Sequence, residues 1–235
     1  MKITCHMIMS VDGRLLPKYW SPLYNASSSV TEVYEAADAK LSADGWIVGR
    51  KTMVEYGADV VEEKEPMEGH KTMQTNTFIG KREGRPLAVV FDIQGRLHYK
   101  SPTLPSGEHI VAVLGSHVTR AYQKELEEIG VSYIMRTPGS KLEETQSALK
   151  HLEHDFNVKH MLLEGGAITC GNFLQMGLVD ELSMIVYPGL DGESDHPSVI
   201  ECQGVVEPLK KNRLELIDCE TIGSGYVWLR YNIHR

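Results

Sequence analysis

The chain has 235 residues, 42% of them hydrophobic, which is enough for one sizeable core. Its formal charge of −8, from 24 Lys and Arg against 32 Asp and Glu, disfavours a nucleic-acid partner, because phosphates attract a basic face. Four widely spaced cysteines, an N-terminus without a long apolar stretch and no later segment able to span a bilayer predict a soluble, cytoplasmic protein without a membrane partner.

The predicted elements follow from the periodicity of apolar residues and from turn and capping signals. In chain order they are strand 2–9, a helix from 30 to about 44, strand 46–49, helix 50–56, strands 87–91 and 110–114, helix 118–129, strand 131–135, helix 140–156, strand 160–163, helix 167–176, strand 181–187 and the strand pair 214–221 and 226–233. Capping-box signatures support two of the helices, with Ser29 and Glu32 at one start and Ser140 and Glu143 at the other.

This alternation predicts an α/β fold in a single domain over residues 1–235, with a mostly parallel central sheet flanked by helices. The runs at 87–91 and 110–114 lack polar alternation, the pattern of strands covered on both faces. Gly223-Ser224-Gly225 between the last two strands predicts an antiparallel C-terminal hairpin. Residues 61–86 are charged and weakly periodic, so we expect a long surface excursion there.

The strand at 46–49 runs into a helix through Gly49-Arg50-Lys51-Thr52. Gly49 allows close approach of the backbone, the Thr52 hydroxyl and the helix N–H groups suit a pyrophosphate, and the Arg50 guanidinium suits a further phosphate. The alternative is a tight strand-to-helix turn whose Arg and Lys are simply solvated.

A second junction of this kind is Glu164-Gly165-Gly166-Ala167, which joins an apolar strand to a helix. Adjacent glycines permit both a strained backbone and an uncovered amide surface. The alternative is a close helix–sheet contact that leaves no room for a side chain. Two such junctions in one chain predict a phosphorylated cofactor held from two sides.

Two carboxylates follow predicted strands, Asp12 after the first and Glu164 after a central one. The carboxyl ends of strands form the ligand crevice of open α/β sheets, so both side chains are candidates to bind a heterocycle or a ribose. The alternative for Asp12 is an ordinary Asp-Gly turn, and for Glu164 the cap of a neighbouring helix.

We expect no metal site. The H-x-x-H step of His151 and His154, with His160 nearby, lies among charged residues on the predicted solvated face and end of a helix. The sequence also has no G-x-S-x-G elbow and no G-x-G-x-x-G after a strand, which disfavours a hydrolase and a standard dinucleotide-binding fold.

Several motifs, in this order, resemble the reductase domain of riboflavin biosynthesis, the RibD C-terminal type, which is a branch of the dihydrofolate-reductase-like fold. They are the segments 7–14, 44–52, 163–166 and 177–182 and the final strand around 225–231. The resemblance spans essentially the whole chain. It also implies a homodimer, and the apolar strand Tyr226-Val227-Trp228-Leu229 is a candidate for the subunit interface.

The resemblance implies NADPH as the hydride donor for a small heterocyclic substrate. Arg50 would meet the 2′-phosphate, Asp12 and Glu164 would face the nicotinamide and the substrate, and two sets of residues would hold the other phosphates. These sets are Gly49, Lys51 and Thr52, and Gly165, Gly166, Ala167, Ile168 and Thr169. In the riboflavin enzymes the hydride goes to the ribose carbon beside the amine of a phosphoribosylaminopyrimidine and opens the sugar.

The chain departs from that family after the first junction. Riboflavin reductases usually continue with Asp-Asp-Pro-x-Leu, whereas residues 53–60 here read Met-Val-Glu-Tyr-Gly-Ala-Asp-Val. A pterin-type reductase and a nucleotide-binding module without turnover are the alternatives. The helix carboxylate of folate enzymes has no clear counterpart, because Glu32, Glu35 and Asp38 can each be aligned with it.

Overall fold

A computed structural model describes residues 1–25, 27–57, 60–69, 77–204 and 209–235. The strands of this described part are β1 (Lys2–Ser10), β2 (Gly45–Gly49), β3 (Val61–Glu63), β4 (Leu87–Phe91), β5 (Leu97–Tyr99), β6 (His109–Leu114), β7 (Ser132–Met135), β8 (His160–Leu163), β9 (Glu181–Tyr187), β10 (Arg213–Ile222) and β11 (Tyr226–His234). Its α-helices are α1 (Val30–Leu41), α2 (Arg50–Tyr56), α3 (Arg120–Ile129), α4 (Lys141–Asp155) and α5 (Ala167–Gln175).

Contacts within the chain divide it into two compact units. Unit 1 comprises Met1 and Asp44–Lys159, and unit 2 comprises Lys2–Ala43 and His160–Arg235. The two ends of the long segment of unit 1 meet, because the Lys159 N–H donates to Asp44 Oδ2 at 2.7 Å. The single domain expected over residues 1–235 stays a prediction.

Unit 1 is built on parallel strands in the order β2-β4-β6-β7. All six residues of β6 are buried, as its unbroken apolar run predicts. Helix α3 begins at the N-cap Thr119 and ends at Gly130, whose φ of 89° is the left-handed conformation that favours glycine. Helix α4 begins with the predicted capping box of Ser140 and Glu143.

Unit 2 has the strand order β10-β11-β9-β1-β8. β1 pairs in parallel with β8 and β9, whereas β11 is antiparallel to both β9 and β10. The buried carboxylate of Glu181 joins these strands, since it accepts from Lys2 Nζ at 2.7 Å and from Arg230 Nε at 2.7 Å. Helix α1 begins with the predicted capping box of Ser29 and Glu32.

The surface excursion expected over 61–86 is wrong at its beginning. β3 pairs antiparallel with β5, and Val61 is only 3% exposed because it packs in the core of unit 1. Phe78 forms an isolated bridge with Tyr133, which anchors the segment a second time. Residues 70–76 lie outside the described part, so the expectation is not tested there.

The predicted fold class is confirmed: the strands are mostly parallel, helices accompany them and the chain ends in an antiparallel hairpin. The expectation that β11 is available for a subunit interface is wrong for two of its aromatic residues, Tyr226 and Trp228. β11 lies between β9 and β10, and its Tyr226 and Trp228 are 0% and 2% exposed. Among the described helices, none is long and apolar enough to cross a bilayer.

Candidate functional site

The first glycine junction lies in unit 1, where β2 passes directly into α2. Gly49 is the N-cap residue in an extended conformation, and no side chain caps the helix there. Met53 is 0% exposed and fixes the helix to the core. Thr52 is half-buried, while Lys51 is exposed to solvent. The predicted strand-to-helix turn is therefore present.

Arg50 is not simply solvated. Its Nε lies 2.9 Å from Glu63 Oε1, and Arg96 Nη2 lies 3.6 Å from the same oxygen. Arg96 also pairs with Glu65 at 3.0 Å. Sequence reasoning missed both Glu63 and Arg96, because β3 and β5 were not predicted. Once these strands are paired, Arg50 becomes part of a charge cluster.

Asp92 follows β4 and holds the turn beneath this cluster. Its Oδ2 accepts from the N–H groups of Arg96 and Leu97 at 2.7 and 2.8 Å. Burial raises the pKa of Asp92, while these two N–H groups and the charge of Arg50 oppose the rise. The carboxyl is 1% exposed, so it acts as an internal brace of the turn.

A cavity of about 430 Å³ opens at the segments that follow β4 and β6. Gln94 and Gly95 come from the first segment, and His117 and Thr119 from the second, where α3 begins. The segment from Pro66 to Gly69 forms another wall. The position of the cavity agrees with the rule that ligands of parallel sheets bind at the carboxyl ends of strands. The volume of the cavity suits a small organic group.

The second junction lies in unit 2, between β8 and α5. Glu164 follows β8 and is 9% exposed. Gly166 is the N-cap residue of α5 with φ +65° and ψ 134°, and no side chain caps the helix. A residue with a side chain is strained in that conformation, so the glycine is required by the backbone. The N–H groups of the first turn have no acceptor within the helix.

Residues of that first turn are unequally accessible. Gly165 and Ala167 are buried, Thr169 is half-buried, and Ile168 is 40% exposed. Further along α5, a Cβ added to Gly171 would lie 1.9 Å from the Glu201 carbonyl oxygen, so the backbones touch there. This close approach fixes α5 in unit 2.

Asp12 lies in the exposed turn after β1. It accepts from Ser10 Oγ at 2.6 Å and from the N–H groups of Gly192 and Asp191 at 2.8 and 3.1 Å. The Ser10 hydroxyl, followed by the Gly192 N–H, lowers the pKa of Asp12 to about 2. The carboxylate therefore ties two loops together.

Asp12 and Glu164 follow two neighbouring strands that end at different levels. The parallel register of β1 and β8 ends with Cys5 opposite Leu163, so Glu164 leaves β8 near the level of His6. β1 continues to Ser10 before the turn that carries Asp12. The rise per residue of a strand puts about 13 Å between the levels of His6 and Ser10. The backbones that lead to the two carboxylates therefore leave the sheet at the same strand ends but at different depths.

The histidines considered for zinc have other partners. His151 Nδ1 lies 2.6 Å from Asp155 Oδ2 in unit 1, and His160 Nε2 lies 2.9 Å from Thr4 Oγ1 in unit 2. Over the described residues, no group of three His, Cys, Asp or Glu side chains is placed to hold a metal ion.

Comparison with known families decides the assignment. A family model described as the RibD C-terminal domain matches residues 1–228. The chain belongs to this family. The resemblance drawn from the motifs is thereby confirmed, and the match includes both glycine junctions of this RibD-type chain.

Two relatives carry the name 2,5-diamino-6-ribosylamino-4(3H)-pyrimidinone 5′-phosphate reductase. The protein from Archaeoglobus fulgidus is 26% identical over 152 residues, which cover 64% of this chain and 65% of the relative. The protein from Methanothermobacter thermautotrophicus is 30% identical over 74 residues, or 32% of this chain and 34% of the relative. The chain thus aligns with less than two thirds of the length of each.

A solved structure of a pyrimidine reductase-like protein from Corynebacterium diphtheriae shares the fold. It superimposes with a TM-score of 0.67 at 18% sequence identity, over 100% of this chain and 92% of that one. At this identity the likeness establishes the architecture of the RibD-type chain.

Proposed function

We propose that the protein is an NADPH-dependent reductase of a phosphoribosylaminopyrimidine in riboflavin biosynthesis. The observation that carries the proposal is the Gly166 junction, an uncapped start of α5 directly after the buried carboxylate of Glu164, in a chain of the RibD C-terminal domain family. The two relatives are named as reductases of the 2,5-diamino compound, which supports the 2,5-diamino intermediate as substrate. Its deaminated uracil analogue is the second candidate.

The residues fit a nicotinamide cofactor. Gly166 has the positive φ that only glycine adopts readily, so the start of α5 is bare backbone that suits a pyrophosphate. In unit 1, the buried Arg50 Nε has no acceptor in hydrogen-bond geometry among the described residues. Gly49, Lys51 and Thr52 complete the first junction, and Ala167, Ile168 and Thr169 the second. The cofactor, when bound, supplies a hydride.

Glu164 is the proposed catalytic carboxylate. Reduction opens the ribosylamino ring when a hydride reaches the sugar carbon beside the amine and a proton reaches the ring oxygen. A carboxylate at Glu164 suits binding of the pyrimidine N–H groups or the ribose hydroxyls and so orients the reacting carbon. The catalytic role of Asp12 stays a prediction, separate from its hydrogen bonds to Asp191 and Gly192.

The pterin-reductase alternative gains no support from Glu32, one of the three acids of α1 that can be aligned with the folate carboxylate. The Glu32 carboxylate belongs to the helix cap, where it accepts from the Ser29 N–H at 2.7 Å. The segment that replaces Asp-Asp-Pro-x-Leu begins with the buried Met53, and its residues Ala58 and Asp59 lie outside the described part.

The test is turnover with both aminated and deaminated intermediates. We expect NADPH oxidation together with a product that has gained two hydrogens, measured by absorbance and mass spectrometry. Glu164→Gln should lower kcat by about a hundredfold, because misplacement of the reacting carbon costs on that order. The affinity of this variant for NADPH should stay within about twofold of the wild-type value, because the substitution removes a contact to the substrate and not to the cofactor phosphates.

Glu193→Gln is the matched control, since Glu193 is an exposed carboxylate of the same unit. NADPH binding without turnover of any pyrimidine or pterin would contradict the reductase proposal and favour a nucleotide-binding module. Equal loss of activity in both variants would contradict the role of Glu164.

We also propose a homodimer that forms through β10. This strand stands first in the order of unit 2, and its Leu214, Leu216 and Ile217 are 51%, 54% and 42% exposed. Long apolar edge strands pair with other chains unless they are protected. Sedimentation at micromolar concentration tests the proposal, and a mass near 26.3 kDa would contradict it. Leu216→Lys should shift the equilibrium toward that mass.

A further inference from the structure

Two arginines of unit 1 share one carboxylate at the cluster described above. The side chains of Arg50, Arg96 and Glu63 are 28%, 23% and 30% exposed, so all three are partly withdrawn from water. Glu65, which also pairs with Arg96, is 86% exposed and belongs to the solvent side. Of Glu63 and Glu65, Glu63 is therefore the acid that lies between the two guanidinium groups.

Glu63 holds the arginines by charge more than by hydrogen bonds. The Arg50 Nε lies 2.9 Å from Glu63 Oε1, yet this buried N–H has no acceptor in hydrogen-bond geometry among the described residues. The contact from Arg96 to the same oxygen is 3.6 Å, beyond hydrogen-bond range. A tetrahedral dianion with several acceptor oxygens satisfies two guanidinium groups better than this single oxygen does.

The cluster adjoins the cavity of unit 1. Gly95 and Pro66 line the cavity, and they are the chain neighbours of Arg96 and Glu65. A group the size of an adenosine in this cavity would therefore bring a phosphate on its ribose toward the arginines. The turn that carries Arg96 is itself fixed, because Asp92 accepts from the Arg96 N–H at 2.7 Å.

We propose that Glu63 is a specificity-determining residue, whose carboxylate competes with a ribose phosphate monoester for Arg50 and Arg96. The inference rests on the proposed cofactor function and deepens it. A phosphorylated ligand binds here only by displacing Glu63, so the preference for NADPH over NADH is smaller than two unopposed arginines would give. Glu63 thereby sets how strongly the site distinguishes the two cofactors.

The test compares adenosine 2′,5′-bisphosphate with adenosine 5′-monophosphate by isothermal titration calorimetry. Glu63→Gln should tighten binding of the bisphosphate by about three- to tenfold, the size expected when exposed and half-exposed ion pairs are released. Binding of the monophosphate should change by less than about twofold, because it lacks the competing group. Glu63→Ala should behave in the same way.

Glu62→Gln is the matched control. It removes the same charge from the same strand, but Glu62 pairs with Lys64 and Lys100. Equal effects of Glu62→Gln and Glu63→Gln, or weaker bisphosphate binding in Glu63→Gln, would overturn the inference while the reductase proposal stands. Failure of the wild-type protein to bind NADPH would overturn the proposed function and the inference together. Thermal unfolding confirms that each variant is folded.

Discussion

Buried histidines should make the protein less stable in mild acid. His6 in unit 2 and His109 in unit 1 are both 0% exposed. Burial lowers the pKa of His6 from 6.5 to about 4, against opposing hydrogen bonds at Tyr34 and Ser183. Burial, followed by the charges of Arg82 and Arg85, lowers the pKa of His109 from 6.5 to about 4.

Because each folded-state pKa lies below the unfolded value, the unfolded chain takes up the proton first as the pH falls. Stability is therefore lost as the pH falls from 6.5 to about 4. Protonation of each imidazole should remove about 2 kcal/mol of unfolding free energy between about pH 7 and pH 5. Carboxylates whose pKa is lowered in the folded state, such as Asp12 at about 2, lose their stabilising contribution only at lower pH.

Denaturant unfolding followed by circular dichroism at the two pH values measures this loss. His6→Asn keeps a polar atom near the Nδ1 that bonds Ser183 Oγ at 2.8 Å, and His109→Gln does so near the Nε2 that bonds Ser132 Oγ at 2.7 Å. Each variant should lose about 2 kcal/mol less than the wild type on acidification. An unchanged pH dependence in either variant would refute the argument for that histidine.

The same experiment tests the single-domain prediction, since the two histidines belong to different units. In one cooperative domain, both substitutions flatten the pH dependence of the same transition, and their effects add. Two separate transitions, each sensitive to only one substitution, would contradict a single domain.

Three further predictions concern unit 2. Glu181→Gln should lower the unfolding free energy by about 1–3 kcal/mol, because the buried carboxylate loses charge-assisted bonds to Lys2 and Arg230. Urea unfolding measures this loss, and an unchanged free energy would show that the two ion pairs contribute no net stability. Gly166→Val should abolish NADPH binding by calorimetry in a protein that stays folded, because the side chain covers the backbone and strains φ +65°. Asp12→Asn should speed amide hydrogen exchange in the loop at 191–192, and unchanged protection would contradict its tethering role.

Much of the fold is readable from local signals. The all-apolar runs of β4 and β6 predicted parallel strands, and two capping boxes fixed the starts of α1 and α4. β3 and β5 were missed because each has three residues and is stabilised by pairing with the other across a long stretch of chain. Such pairing leaves no periodicity in either segment.

The candidate site was predicted only in part for the same reason. Glycines that end strands mark both junctions, and the positive φ of Gly166 agrees with that interpretation. The partner of Arg50 is Glu63, which reaches it through the missed β3. The different levels at which the chain leaves β1 and β8 depend on how far β1 extends past β8, a property of strand register that neither segment encodes alone.

The hydrogen bond between the Lys159 N–H and Asp44 Oδ2 makes the long segment of unit 1 an insert whose two ends are held together. Because those ends lie side by side, new termini can be introduced within the segment by circular permutation, or the segment can be deleted, without stretching the backbone at the join. The gap left in the rest of the chain then needs only a short linker between residues 43 and 160. A chain shortened in this way would show whether unit 2 folds without the long segment.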